Sequence, residues 1–393
     1  MALTKAEVNE RFYNTVGGRI AFETEAQGYL HPYAVAKLAA GYARARGRRE
    51  LKLLELGANN CAFALSLLKL LTSLTVHGEV ELDRIDFFAV ELARPSLESF
   101  LAEQEQAGEF QRVSPGAAGG PLVGSLVRLG VPQVSLHLVH AEAGAFVSGG
   151  SGGYDLVVLN ELLDDLPCRV FYAGADGRTR ELHADASEED GRWHVTLRAA
   201  EAADAPELPP STLTVTSPES LAVVRGAAAL LAPGGLLLVH DYGIAERHAP
   251  LAQYEREPPP LPGFVTLELP PGAEEGGFPR AFYRLFASEE AGVVQITTDV
   301  NFAELAAELE PHGAVVTLPH GNALLKRRGG SGDDLRRGDG IFLSELGLLE
   351  RGDDLDALLA RLGAEQAELR RRFAAEHLDG RSSVYADLLF VKR

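Results

Sequence analysis

YDLVVLNEL (154–162) and LLAPGGLLLVHDYG (230–243) decide the fold. Tyr-Asp opens the first run, and Pro233-Gly234-Gly235 halts a helix directly before the second. Both runs are apolar at successive positions, so neither strand has a wet face. The helix between them is predicted at 217–232: Ser217 caps it, Pro218 sits just inside, and Leu221, Val224, Ala228 and Leu231 form the buried stripe. Two doubly buried strands joined by a helix imply a parallel sheet covered on both sides.

The same rhythm extends towards the N-terminus. LKLLELG (51–57) reads as a strand, CAFALSLLKLLTSL (61–74) as an apolar helix and DFFAVEL (86–92) as a second strand. Pro95 opens the next helix, with Leu97, Phe100 and Leu101 on one face. A Gly/Pro-rich loop follows at 114–124, then a third strand at 134–142. The fold class is therefore α/β, a Rossmann-like sheet with helices on both faces. Residues 49–245 form the core, with a hairpin insertion at about 168–215. Residues 1–48 are a helical lead-in or lid, with Val35, Leu38, Ala39 and Tyr42 on one helix face. Residues 246–393 supply a Pro/Glu-rich excursion (246–290), a helix at 302–310 capped by Asn301, a strand at 314–318, charged helices at 343–378 and a last strand, VYADLLFV.

Composition narrows the function. The 393 residues, 46% hydrophobic, are enough for a full core plus appendages. Lys and Arg number 37 against 56 Asp and Glu, a net charge of −19 that repels phosphate backbones, so nucleic acid is not an expected partner. Cys61 and Cys168 stand far apart, and the eleven histidines are scattered, so neither a disulfide framework nor a metal site is expected. The opening MALTKAEVNERF has no apolar region, and no stretch is long enough to span a membrane; the expected location is cytoplasmic, with no membrane partner. A second copy of the chain is a candidate partner.

In open parallel sheets ligands bind beyond the carboxyl ends of the strands. The residues there are Glu55, Gly57, Ala58 and Asn59 after the first strand, Glu91 and Leu92 after the second, Ala141 and Glu142 after the third, Asn160 and Glu161 after the fourth, and Asp241-Tyr242-Gly243 after the fifth. Glu91 can accept both hydroxyls of a ribose. Each residue also has an ordinary reading as a surface carboxylate or a turn glycine. ELGANN lacks the later glycines of a dinucleotide fingerprint, which argues against a pyrophosphate-bearing cofactor.

The paired units 154–162 and 230–243 resemble the fourth and fifth strand units of class I S-adenosylmethionine (SAM) methyltransferases. NELLDDLP (160–167) resembles the Asn-Glu-Phe-Phe-Asp-Ala-Leu-Pro segment of the MidA-like SAM-dependent methyltransferases, a family that includes a mitochondrial protein arginine methyltransferase. HDYG (240–243), QITTDVNFAEL (295–305), LPHGNALL (318–325) and the lead-in at 22–43 are similar to further segments of that family, in the same order. The sequence departs from the family at GANNC (57–61), where Gly-x-Gly-x-Gly is usual, at Leu162-Leu163, where two aromatics are usual, and in a lead-in that lacks Pro-Glu. The resemblance implies SAM as cofactor. Glu55, Gly57, Glu91, Glu142 and Asn160 would hold it, with Ala58, Asn59, Leu92 and Ala141 beside them. It also implies a protein substrate, with Glu161 and Asp164 as catalytic residues facing the methyl acceptor. A small-molecule acceptor and a non-catalytic binding role remain open alternatives.

Overall fold

The computed structural model describes residues 3–16, 30–115, 120–244, 246–273, 276–319 and 385–393. The central sheet runs in the order β17-β18-β11-β6-β1-β2-β5-β4-β3. Its parallel middle is β11 (Leu231–Ile244), β6 (Tyr154–Asn160), β1 (Glu50–Leu56), β2 (Arg84–Glu91) and β5 (Gln133–His140). β18 (Tyr385–Lys392) and β17 (Gly313–Pro319) close one side antiparallel, and β4 (Leu122–Arg128) and β3 (Gln111–Pro115) close the other.

Alternate residues of each middle strand enter separate cores. Leu53, Phe87, Leu156, Val158, Leu236 and Leu238 pack with α2 (Leu30–Ala45), α3 (Ala62–Val76) and α4 (Arg94–Ala107). Leu54, Val90, Val157, Leu159, Leu237 and Val239 pack with α5 (Ala143–Gly149), α6 (Pro218–Leu230) and α7 (Phe302–Leu309). This explains why the strands show no polar alternation. Ser217 caps α6 by accepting from Ser220 N at 3.1 Å, and Asn301 caps α7 by accepting from Glu304 N at 3.2 Å, both as their spacing predicts.

A second, six-stranded sheet lies apart, in the order β12-β10-β7-β8-β9-β13. Its strands are β7 (Arg169–Ala173), β8 (Thr179–Glu189), β9 (Arg192–Ala200), β10 (Thr212–Thr216), β12 (Ala249–Pro250) and β13 (Val265–Glu268). β14 (Arg284–Ser288) pairs with β15 (Val293–Thr297), and β16 (Val300–Asn301) pairs with the end of β11. Val8 of α1 (Lys5–Val16) packs into this lobe beside Trp193 and Ile296.

Several expectations are corrected. α2 is not an amphipathic cover: Ala34, Val35, Ala36, Leu38, Ala39, Ala40, Tyr42 and Ala43 are all buried, because α2 is wedged into the first core. The element outside the core is α1. Residues 114–115 and 122–124, expected in a loop, belong to the antiparallel strands β3 and β4, and 116–119 lie outside the described residues. The insertion is a sheet rather than one hairpin, and 246–290 contributes strands to it. α6 ends at Leu230, and Pro-Gly-Gly makes a bulge inside β11 between Leu231 and Leu236. The charged helices at 343–378, the polar stretch 328–340 and all but the first two residues of LPHGNALL lie outside the described residues.

Gly243, the glycine of HDYG, pairs with Val300. A Cβ there would lie 2.4 Å from both the Phe302 ring and the Val300 carbonyl. Gly243→Ala should therefore destabilise the protein by about 1–3 kcal/mol through overpacking. Denaturant midpoints of both proteins check this, and an unchanged midpoint would show that the contact relaxes freely.

Candidate active site

The strand ends of the parallel middle open onto one cavity of about 790 Å³. Glu55, Gly57, Ala58, Asn59, Glu91, Leu92, Ala141, Glu142, Asn160, Glu161 and Asp164 all line it. Every residue singled out from the sequence as holding a cofactor or catalysing thus reaches the same space. Asn9, Phe12 and Tyr13 of α1, with Phe286 and Gln295 of the β14–β15 pair, also line it, and sequence reasoning missed them. The α1 signal is present in the sequence as Val8, Phe12 and Val16 at four-residue spacing.

The turn after β1 explains the departure at GANNC. Gly57, Asn59 and Cys61 have φ of 75°, 47° and 58°. These are the three positions at which the resembled family carries glycine, and all three are left-handed. Asn tolerates that region; Cys61 bears a strain of about 1–2 kcal/mol. The backbone path survives without the glycines. At Gly57 a Cβ would also meet Leu162 Cδ1 at 2.9 Å, so Leu162 is seated directly on the turn.

Glu91 is 7% exposed and ties the first two strand ends together. Its Oε2 accepts from Asn59 N and its Oε1 from Ala93 N, both at 2.7 Å. Burial raises its pKa, against the pull of these amides. Glu55 is 2% exposed. It accepts from Asn160 Nδ2 at 3.1 Å, while its Oε2 has no partner among the described residues. Burial, opposed by Asn160 and reinforced by the Glu91 charge, pushes its pKa up to about 8.

The turn after β6 carries the other carboxyls. Glu161 has φ of 46°, a strained value of the kind that collects at functional sites, and Tyr385 Oη donates to its Oε2 at 3.2 Å. Asp164 is buried, and its Oδ1 has no partner among the described residues. Burial, with Asp241 and Asp165 beside it, raises its pKa well above the usual carboxyl range. Asp241 accepts from Leu163 N at 2.9 Å and Asp164 N at 3.2 Å, so it holds the turn rather than a ligand. Asp165 anchors α1: it accepts from Tyr13 Oη at 2.5 Å, Asn9 Nδ2 at 3.0 Å and Gln295 Nε2 at 2.9 Å. Lys5 ties the same turn, donating to the carbonyls of Asp164 and Leu166 and to Thr298 Oγ1.

Two of the scattered histidines converge in the fold. His31 and His240 stack at 4.0 Å, and with Asp387 they offer ligand atoms within 4.8 Å of one another. They come from α2, β11 and β18, so no local spacing reveals them.

The cavity suits a cationic ligand. Buried carboxyls crowd it, and among the described residues Glu55 Oε2, Asn59 Oδ1 and Asp164 Oδ1 are acceptors in want of donors. SAM carries a sulfonium and an ammonium and no phosphate, so the residues present fit it. Glu55, Glu91, Asn59 and Asn160 would hold it. Replacing Glu91 with Ala frees the Asn59 and Ala93 amides and removes the carboxylate that would accept from a ribose, and SAM binding should weaken by about 1.5–3 kcal/mol. Calorimetric titration checks this, and equal affinities would remove Glu91 from the site.

A family model described as "Putative S-adenosyl-L-methionine-dependent methyltransferase" matches residues 35–319. No curated protein matches the chain. Among solved structures, an uncharacterized superfamily protein from Burkholderia thailandensis is similar at 17% identity and a TM-score of 0.47, over 100% of this chain and 87% of that one. A superfamily member from the same organism, bound to S-adenosyl-homocysteine, is similar at 17% identity and a TM-score of 0.42, over 99% and 78%. Among the described residues no helix is long and apolar enough to cross a membrane.

Proposed function

Because the chain belongs to the SAM-dependent methyltransferase family matched over residues 35–319, we propose that it transfers a methyl group to an arginine of a partner protein. The observation that carries the acceptor reading is the turn after β6. Glu161 and Asp164 line the cavity with the ring of Tyr13, while the Tyr242 ring is already covered by Arg284 and Tyr385. A guanidinium is planar, cationic and forked, and is held by carboxylates at its edge and aromatic faces above it. The net charge of −19 suits the approach of a basic segment.

SAM, when bound, supplies the activated methyl group. The chain's task is alignment and exclusion of water, and alignment of this kind contributes roughly 7–11 kcal/mol. Glu161 and Asp164 would orient the acceptor nitrogen with its lone pair towards the methyl carbon and take up the positive charge there. α1 would cover the acceptor end, held by Asp165 and Lys5. Hydrogen exchange tests the cover: amides of Lys5–Val16 should gain protection at saturating SAM. Unchanged exchange in that helix would count against it.

The acceptor is tested with labelled SAM, the purified protein and a lysate of cells lacking it. Label in a discrete protein band, recovered as methylarginine, is expected. Label found only in small molecules would overturn the protein acceptor. No transfer and no SAM binding would leave a non-catalytic docking protein.

A further inference from the structure

Behind the cavity floor the site residues Glu55, Asn160 and Glu161 are joined by His31, His240, Asp387 and Tyr385, a column of polar groups to which the proposed transfer gives no role. Asn160, at the end of β6, has both amide atoms engaged: Nδ2 donates to Glu55 Oε1 at 3.1 Å, and Oδ1 lies 2.8 Å from His31 Nε2. Whether ionised or protonated on its other oxygen, Glu55 accepts at Oε1. The amide must therefore turn its NH₂ to Glu55 and its oxygen to His31, which fixes His31 Nε2 as a donor. His31 is fully buried. Its ring stacks on His240 at 4.0 Å, His240 Nδ1 lies 2.9 Å from Asp387 Oδ1, and His240 stacks on Tyr385 at 4.9 Å. Tyr385 then donates to Glu161. The column runs from the carboxyl at the cofactor end to the carboxyl at the acceptor end.

The geometry points to His31 as a positioning residue for the cofactor: through Asn160 it sets the Glu55 carboxyl so that one oxygen is held and the other is left for a ligand in the cavity. This rests on the reading of the cavity as a SAM site. A helix outside the sheet thereby acts on the floor without touching the ligand. Burying an imidazole and an amide is costly unless their hydrogen bonds are returned, and here each returns the other's. Among the described residues, those facing His31 include Asn160, His240, Asp387 and the Phe63 ring, and those facing Glu55 include Asn160, Glu91 and Cys61.

The test is calorimetric SAM binding across pH 6–9. For the wild type, affinity should rise with pH as Glu55 loses its proton and level off above its pKa. His31→Leu removes the donor to Asn160 and should weaken binding about 10- to 100-fold. It should also move the pH midpoint upward, since Asn160 no longer holds the ionised form of Glu55; loosened packing alone would not move it. His31→Gln, whose amide can donate to Asn160, should restore most of the affinity. His31→Asn, too short to reach, should not, and it serves if the Leu variant fails to fold. Unchanged affinity and midpoint in the Leu or Asn variant, or a Gln variant as weak as they are, would overturn the proposal. So would a stoichiometric metal in the wild type lost in His31→Gln, which would make the column a metal site. A wild type that binds no SAM at any pH overturns the cofactor reading itself, and the proposal with it.

Discussion

Glu55→Gln is expected to stabilise the ligand-free protein at neutral and alkaline pH while weakening SAM binding about 100-fold. Glu55 sits at the end of β1 with 2% of its surface exposed. Burial pushes its pKa to about 8, the Glu91 charge pushes the same way, and Asn160 resists. In the unfolded chain the carboxyl ionises near 4.5. Between those values the unfolded chain has released the proton and the folded chain keeps it. Stability from this group is therefore full below about pH 4.5, falls as pH rises and is lost once pH passes about 8. The loss is on the order of a few kcal/mol. Glutamine does not titrate, so its advantage over Glu should grow from pH 5 to 8 and then level. Its carbonyl can accept from Asn160, which leaves an NH₂ group towards the cavity, where a cationic cofactor needs an acceptor. Thermal midpoints of both proteins over pH 5–9, with SAM titrations alongside, check both halves. Parallel melting profiles would show that burial does not perturb Glu55, and equal affinities would remove it from the site.

A residue that weakens the empty fold and strengthens the loaded one is the kind sequence patterning can locate but not weigh. Glu55 was legible because Leu53, Leu54 and Leu56 around it mark a strand buried on both faces, so its position at the carboxyl end followed. The same logic placed Glu91, Asn160 and Glu161. It failed where contact is made by chain distant in sequence. α2 reads as a one-faced helix because its alanines carry little hydrophobic weight, yet packing against α3 buries Ala36, Ala40 and Ala43 completely. Asp164 and Asp165 look alike as neighbours in sequence. Only the return of α1 and β15 shows that Asp165 is occupied by Asn9, Tyr13 and Gln295 while Asp164 keeps an oxygen in want of a donor. In the sequence the left-handed turn at Gly57, Asn59 and Cys61 looks like a loss of the glycine pattern, because residue identity reports the ease of a backbone conformation and not whether it is adopted.

That division between Asp164 and Asp165 gives the second large effect. Glu161→Gln and Asp164→Asn should each lower methyl transfer about 100- to 1,000-fold, the range for removing one preorganised electrostatic group, with SAM affinity kept within about threefold. Neither side chain accepts from the Gly57–Asn59 turn, whose amides reach Val90 and Glu91 instead. Both are placed by bonds that survive the change: Asp241 still receives Leu163 N and Asp164 N, and Lys5 still donates to the Asp164 and Leu166 carbonyls. Asp164→Asn also removes a buried carboxyl that Asp241 and Asp165 crowd, so that variant should fold at least as stably as the wild type. Lost transfer in a protein that is no less stable and still binds cofactor can only be a loss at the acceptor. Asp165→Asn is the contrast. It breaks the anchor of α1, so it should raise the KM for the acceptor and speed hydrogen exchange in Lys5–Val16, with a smaller fall in kcat at saturation. Initial rates with labelled SAM, read beside binding titrations for all three variants, separate the roles. Should Asp165→Asn lower kcat more than Glu161→Gln or Asp164→Asn, the acceptor would be gripped at α1, and the assignment of the two catalytic carboxyls would fall.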